Sequence, residues 1–266
     1  MWKPASFIFI GIFAQIIGAI GHNLNAAPRD QFNTSLEYAL FEHKNNGYST
    51  EEKGNLNGLS FSISHKKKRM RGVVSLALYA GDVDFSAVSS EKPVETSTEE
   101  KLAQLSYQLE SNHLQRFYQP YINISFQRWH RNIAGNEDFS GVERKYEWWN
   151  IETGIQASLY KSHKNHIRIN GGLSHTFFNR LLIDLKSQNL GKPLLEPKAK
   201  VGFAGGIVAN HKFNPVHGIE LSANAKYWQF GDASRLVNRG GQITEVNEPE
   251  SKTTLLSLQL TYFRLF

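Results

Sequence analysis

Length, charge and cysteine content exclude several classes of protein. The chain has 266 residues, a formal net charge of +6, 40% apolar and 20% charged residues, and no cysteine. This length suits one domain, and so small and dispersed a basic excess does not indicate a nucleic-acid-binding protein. Without cysteine the chain has neither disulfides nor thiol chemistry.

The N-terminal segment has the layout of a secretory signal peptide. Residues 1–3 include one basic side chain, residues 7–20 are almost entirely apolar, and residues 21–27 are small and polar. We therefore predict a cleaved signal peptide over 1–26, with cleavage after Ala26 or Ala27, and one domain over 27–266. No later apolar run reaches the roughly 20 residues that a transmembrane helix needs.

Ten segments of the remaining chain alternate apolar and polar residues, which predicts strands with one apolar and one polar face. In the first segment Phe32, Leu36 and Leu40 alternate with Ser35 and Glu37. Segment 101–110 has a composition that also suits a helix, but its alternation favours a strand. The predicted strands are 31–43, 57–65, 70–80, 101–110, 114–131, 144–160, 166–180, 198–212, 218–230 and 252–266.

The connections between these strands alternate in length. The long connections are 44–56, 81–100, 132–143, 181–197 and 231–251, and the short ones are 66–69, 111–113, 161–165 and 213–217. Outer-membrane barrels place long loops outside and short turns in the periplasm, and their strand number is even. We predict an all-β, transmembrane, antiparallel up-and-down barrel of about ten strands, or eight if one hairpin is divided wrongly. A soluble periplasmic sandwich or lipocalin-like barrel is the competing fold.

Aromatic residues cluster near both ends of the predicted strands, as in the two interfacial girdles of membrane barrels. Near the long loops these are Trp129, Trp148, Trp149, Tyr227 and Trp228, and near the short turns they are Tyr118, Tyr160, Tyr262 and Phe266.

The last strand resembles the C-terminal assembly signal of Gram-negative outer-membrane barrels. Leu258, Leu260, Tyr262 and Phe266 share one face, although Arg264 stands where that signal usually has an apolar residue. The resemblance implies an outer-membrane location and recognition by the barrel-assembly machinery. We expect a monomer that contacts outer-membrane lipid and lipopolysaccharide.

Charged residues are predicted at several positions inside the barrel. They are Glu37, Glu152, Arg168, Glu220 and Lys226. A barrel of about ten strands is little wider than one filled by side chains, and charges in it need partners. The narrow bore favours an interior salt-bridge plug over a selective pore.

The predicted size also resembles that of the omptin proteases, which activate a water between an acidic pair and a His–Asp pair. Asp82 and Asp84 lie where the acidic pair would be, and Asp184 lies in the facing segment. However, Lys186 stands where a histidine base is needed, so we interpret Asp82 and Asp84 as solvated loop carboxylates or a weak cation site. No histidine begins the His-x-Ser pair of lipid-modifying barrels. We expect no catalytic residue, cofactor or metal site.

The segment 128–149 mixes Arg, His, Glu, Tyr and Trp, residue types enriched at binding surfaces. Arg131, Glu143 and Trp148 are its candidate contact residues, although the segment would equally suit a hairpin that prolongs the barrel wall. The leading functional hypothesis is a non-enzymatic surface barrel whose loops contact lipopolysaccharide or an unidentified extracellular partner. A narrow channel and a barrel enzyme are the alternatives.

Overall fold

A computed structural model describes residues 30–47, 49–67, 69–89, 92–111, 117–136, 140–185, 190–239 and 242–266. The predicted signal peptide lies outside these residues. Thirteen strands are present: β1 Asp30–Asn45, β2 Thr50–Lys67, β3 Met70–Ser89, β4 Lys92–Ser111, β5 Tyr118–Ile133, β6 Val142–Lys161, β7 Asn165–Asp184, β8 Leu194–Leu195, β9 Val201–Lys212, β10 His217–Phe230, β11 Ala233–Arg239, β12 Gln242–Glu248 and β13 Ser251–Leu265. No helix in the described ranges is long and apolar enough to cross a membrane.

Ten of these strands form a closed antiparallel barrel. Neighbours in the chain pair around the ring, β7 pairs with both β6 and β9, and β13 closes the ring by pairing with β1 and β10. The prediction of ten strands is confirmed, and eight is wrong. β8 adds two residues to the edge of β7, while β11 and β12 form a separate hairpin beyond the barrel.

The lower part of the barrel, next to the short turns, has an apolar outer face and a polar inner face. Its exposed outward side chains include Leu36, Tyr38, Leu40, Leu59, Phe61, Leu78, Ile122, Ile124, Ile155, Ile169, Leu173, Phe203, Ile207, Leu221, Leu256, Leu258 and Leu260. Polar residues such as Ser35, Ser60 and Ser125 alternate with them and face the bore. This outer belt has the pattern that lipid selects in a membrane barrel. We call this part the membrane-spanning half.

Above the belt the apolar and polar residues exchange faces, so that polar residues point outward and apolar residues point inward. Along β3, Leu78 is exposed to lipid, but the outward residues that follow on the same face are Asp82 and Asp84. Their inward neighbours, Val83 and Phe85, are buried. A wall with water outside buries its apolar residues inside, as in a soluble protein. We call these upper parts of the strands, about 41–56, 79–102, 128–148, 178–184 and 227–255, the outer extension.

The outer extension corrects the predicted loops. The prediction of loops over 44–56 and 81–100 is wrong for most of their length, because β2 begins at Thr50, β3 continues to Ser89 and β4 begins at Lys92. Four strands have 20 residues, about twice the 9–11 that a bilayer requires, so their upper halves project beyond it. The predicted loop 231–251 contains the β11–β12 hairpin.

The predicted outer aromatic girdle is wrong for three of its members. Trp129, Trp148 and Trp228 are buried inside the barrel, because they occupy inward positions in the extension, where the inner face is apolar. The girdle at the short-turn end agrees with the structure, since Tyr118, Tyr160, Tyr262 and Phe266 are all 46–56% exposed. Leu258, Leu260 and Tyr262 also face outward on β13, and their recognition by the assembly machinery stays a prediction.

The exchange of faces between the membrane-spanning half and the outer extension can be tested by placing an arginine at an outward position in each. Leu258→Arg, within the belt, should lower the free energy of unfolding by about 2–4 kcal/mol, because it moves a guanidinium into lipid. Asp84→Arg, above the belt, should cost less than about 1 kcal/mol because that position faces water. Urea unfolding of the protein refolded in vesicles measures both. Equal losses of unfolding free energy in the two variants would contradict the assigned boundary between the membrane-spanning half and the outer extension.

Candidate functional site

The bore of the outer extension is packed with aromatic side chains from strands on opposite sides of the ring. Trp129 of β5 stacks on Tyr146 with ring centroids 5.0 Å apart, and Tyr146 stacks on Phe230 of β10 at 5.4 Å. Phe41 of β1 meets the Trp129 ring edge-on at 5.7 Å. Trp148 contacts Phe230 at 5.1 Å. These rings, all 3% exposed or less, form a layer across the bore.

A charged group lies within this aromatic layer and is centred on Arg131. Its guanidinium donates to carboxylate oxygens of Glu52 on β2 and Glu100 on β4, the latter at 3.3 Å. It also lies 4.7 Å from the centre of the Trp129 ring, within the range of a cation–π interaction. Arg131, Glu52 and Glu100 are no more than 2% exposed. Such a buried cation is tolerated only because carboxylates and aromatic faces surround it.

The hydrogen bonds of His43 set its tautomer. Arg131 Nη1 donates to His43 Nε2 over 3.2 Å, and a guanidinium can only donate. The His43 Nδ1–H therefore donates to the Thr253 hydroxyl oxygen, 2.8 Å away. Burial and the nearby guanidinium of Arg131 hold the pKa of His43 well below its usual value, so the ring is neutral. Both ring nitrogens are engaged, which leaves neither free to act as a base.

Glu100 is the titratable carboxyl of the group. Burial raises the pKa of Glu100 to about 8, against the opposing effect of the Arg131 guanidinium. Its oxygens accept hydrogen bonds from the Trp129 indole N–H and from Arg131 Nε. A carboxyl that is partly protonated near neutral pH reduces the excess of negative charge in this dry layer.

The β11–β12 hairpin is fastened to the top of the layer by Glu248. The Glu248 carboxylate accepts from Arg144 Nη1 at 2.9 Å and from the Tyr146 hydroxyl at 2.8 Å. A longer contact of 3.5 Å joins it to the Asn45 amide. We call the aromatic layer and its charged group the plug: Phe41, His43, Glu52, Glu100, Trp129, Arg131, Tyr146, Trp148, Phe230 and Glu248. The hairpin thus contributes Glu248 to the plug.

The charges predicted in the bore line the membrane-spanning half, below the plug. Arg168 pairs with Glu220 at 3.0 Å. Glu37 accepts from the Tyr79 hydroxyl at 2.5 Å and the Gln259 amide at 2.8 Å, and Glu152 accepts from the Tyr121 hydroxyl at 2.6 Å. Lys226 crosses the bore to the Gln104 amide oxygen at 3.3 Å. All five are half-buried. They are distributed along the wall of the bore and do not form one cluster.

The candidate residues of the outer segments fall into two groups. Arg131 and Trp148 belong to the plug, whereas Glu143 lies on the outer wall, where it contacts His130 at 2.7 Å and Lys145 at 2.8 Å. Asp82 and Asp84 point outward from a strand, and no histidine in the described residues donates a hydrogen bond to either. Within the same residues, no group of three or more His, Asp or Glu side chains is placed to hold a metal.

Sequence reasoning missed most of the plug. His43, Glu52, Glu100, Tyr146 and Glu248 were not identified, because their segments were assigned to loops or to the ordinary barrel wall. The available signal was the exchange of faces, in which the apolar residues Val83, Phe85 and Trp129 occupy inward positions of these strands. Polar residues at other inward positions of the same segments would then have been predicted to lie in the apolar interior.

Removing the central cation tests the plug. Arg131→Met leaves two buried carboxylates without their partner and should lower the free energy of unfolding by about 3–5 kcal/mol. Arg128→Met, which removes a half-exposed guanidinium from the same strand, should cost less than about 1 kcal/mol. Urea unfolding at pH 8 measures both. Similar losses for the two variants would show that the buried group contributes little.

Glu100 gives the plug a dependence on pH. Its pKa is raised above the value in the unfolded chain, so the folded state binds a proton more tightly. The free energy of unfolding should therefore fall as pH rises from about 4, the unfolded pKa, towards 8. Glu100→Gln should remove this slope, and Glu99→Gln, on the exposed face, should retain it. Parallel stability curves for the wild type and Glu100→Gln would contradict the assignment.

Comparisons with known structures agree with the fold. The outer membrane protease OmpT from Escherichia coli is similar with a TM-score of 0.62 and 11% identity over 92% of this chain and 99% of its own. The translocator domain of the autotransporter NalP from Neisseria meningitidis has a TM-score of 0.45, at 9% identity over 98% of each chain. No protein-family model and no curated protein matches the sequence. The chain has the fold of Gram-negative outer-membrane β-barrels.

Proposed function

We propose that this protein is a non-enzymatic, non-conducting outer-membrane barrel that presents its outer extension to partners outside the cell. The observation that carries the proposal is the plug. Rings from β1, β5, β6 and β10 pack together across the bore, and the Arg131 group fills the space between β1, β2 and β4. A solute channel needs a continuous polar path, and this dry layer interrupts it.

The contact surface that we infer for a protein partner is the β11–β12 hairpin. Its base is fixed by the buried residues Ala233, Val246 and Glu248. Towards its tip, Leu236 is 66% exposed and Ile243 is 70% exposed. The pairing of Asn238 with Ile243 places Leu236 and Ile243 diagonally on one face. Exposed apolar side chains on a projecting, well-anchored element are typical of a protein-binding surface.

The outer wall also offers a surface to lipopolysaccharide. Arg128 and Arg180 flank Glu147 in one outward row, directly above the Phe126–Trp149–Phe177 row. Guanidinium groups form charge-assisted hydrogen bonds with phosphate oxygens, and aromatic rings suit the level of the headgroups. This arrangement supports a contact between the two arginines and phosphates of lipopolysaccharide.

The catalytic alternative has little support from the side-chain directions. OmpT, with a similar fold, is a protease, but an identity of 11% carries no activity to this chain. Asp82 and Asp84 face outward from β3, and His43, the histidine of the plug, is buried with both ring nitrogens engaged. These positions offer no activated water to a substrate.

Single-channel recording tests the central proposal. The wild-type protein, refolded into a planar bilayer, should carry no steady current. Trp129→Ala/Trp148→Ala should admit ions intermittently because it removes two rings of the plug, whereas Trp149→Ala, on the outward face, should stay silent. Heat-modifiable gel migration confirms folding of each variant. Steady current through the wild type would overturn the proposal in favour of a channel.

Contact with lipopolysaccharide has its own test. Arg128→Gln/Arg180→Gln should weaken binding of lipopolysaccharide to the refolded protein by at least about fivefold, since basic residues near an anionic surface contribute about 1 kcal/mol each. Lys161→Gln/Lys164→Gln, with the same change of charge at the short-turn end, is the control. Unchanged binding in the arginine variant, or an equal loss in both, would exclude this surface.

A further inference from the structure

The two ends of the barrel differ in how their lysines are paired. At the outer end Lys44, Lys53, Lys101 and Lys145 each contact a carboxylate at 2.5–2.8 Å. At the short-turn end six basic side chains make no ion pair within the described residues: Lys66, Lys67, Lys161, Lys164, Lys212 and Arg264. We call these six residues the basic rim. No ion pair within the described residues balances the positive charge of this rim.

Nearby carboxylates do not neutralise the basic rim. The side chain of Asp30 is engaged with His65 on the neighbouring strand. Glu110 and Glu220 face the bore, where they pair with Arg71 at 3.4 Å and Arg168 at 3.0 Å. Arg264 stacks over the Phe266 ring at 5.2 Å, which holds it on the outer surface without cancelling its charge.

The basic rim follows much of the circumference of the barrel and has aromatic side chains between its members. Lys66 and Lys67 end β2, Lys161 ends β6, Lys212 ends β9, and Arg264 lies near the end of β13. The interspersed exposed rings are Tyr118, Tyr160, Phe213, Tyr262 and Phe266. Lysine and arginine beside tyrosine and phenylalanine at one level are typical of the interface between bilayer and water.

We propose that the basic rim binds the headgroups of anionic phospholipids, such as phosphatidylglycerol, in the inner leaflet of the outer membrane. Short turns of such barrels lie on the periplasmic side, so the rim meets that leaflet. Each cation attracts an anionic headgroup more strongly than a zwitterionic one. The barrel is then held between two different anionic surfaces, and the inner one is independent of the proposed contact with lipopolysaccharide.

The shape of the charge distribution favours lipid over an acidic protein. A docked protein would contact one compact sector of the barrel end. The basic rim instead follows an arc of neighbouring strands, from β6 past β7, β9, β10, β13 and β1 to β2. Lys67 and Arg264 occupy outward positions near the aromatic side chains, and Lys66, Lys161 and Lys212 lie at inward positions at the ends of their strands. Lysine side chains are long enough to reach the headgroup level from the end of a strand, so an arc of this width matches lipid headgroups along the wall.

Electron spin resonance with spin-labelled lipids measures this selectivity directly. The refolded full-length protein in phosphatidylcholine vesicles should associate with labelled phosphatidylglycerol about two- to fivefold more strongly than with labelled phosphatidylcholine. The test variant is Lys161→Gln/Lys164→Gln/Lys212→Gln/Arg264→Gln. The matched control is Lys44→Gln/Lys53→Gln/Lys101→Gln/Lys145→Gln, which removes four positive charges from the outer end.

The proposal predicts that the test variant loses most of the selectivity and that the control retains it. Loss of selectivity in high salt would support the electrostatic origin. Equal selectivity in both variants, or no selectivity in the wild type, would overturn the proposal. Binding of soluble polyglutamate by a wild type that shows no lipid preference would mean an acidic protein partner instead. If the quadruple variant does not fold, Lys161→Gln/Lys164→Gln, which changes two exposed residues at a short turn, gives the same comparison.

Discussion

The structure depends on one constraint: strands that are continuous in the chain pass from lipid into water while they enclose a single bore. A backbone within a membrane must satisfy its hydrogen bonds, so the ring has to close, and β13 meets β1 over almost its whole length. The side chains then respond to the medium outside. Below the boundary the apolar residues face out and the polar residues face in. Above it the pattern inverts, and a hydrophobic interior forms without any break in strand pairing.

This inversion explains why the two halves of the bore differ. In the membrane-spanning half the inward residues are polar, and five charged ones are half-buried: Glu37, Glu152, Arg168, Glu220 and Lys226. Lys226 crosses the bore to the Gln104 amide oxygen. In the outer extension aromatic side chains pack across the bore around the buried Arg131 group, and we propose that this layer closes the bore. Arg131 lies at the centre of that dry region. Its cost in desolvation is offset only because Glu52, Glu100 and the Trp129 ring converge on it from three strands.

The plug also connects the barrel with the surface that a partner would meet. Tyr146 stacks on Trp129 within the plug and donates its hydroxyl hydrogen to Glu248 at the base of the hairpin. The base of the hairpin is therefore anchored to the plug. An anchored element loses less entropy on binding than a free one. We propose that the plug both closes the bore and presents this contact surface.

The sequence predicted the barrel well because period-two alternation reveals a strand whichever face is apolar. It predicted the extension poorly because we assumed that apolar residues face out. Asp82 and Asp84 were assigned to a loop for this reason, although Val83 and Phe85 continue the alternation with the opposite sign. Arg131 and Trp148 were identified by residue type alone. Their partners depend on register across the bore, and Glu52 is 79 positions from Arg131 in the chain, so no local pattern reports that contact.

The most direct test of the account is spin-label accessibility along β3. The chain has no cysteine, so a single introduced cysteine carries the label at each chosen position. At the outward positions, we predict high accessibility to oxygen at Leu78 and high accessibility to a water-soluble nickel reagent at Asp82. At the inward positions, we predict a label in contact with water at Ser75 and a label shielded from both reagents at Val83. A label at Asp82 in lipid, or one at Val83 in water, would contradict the inversion on which the whole structure depends.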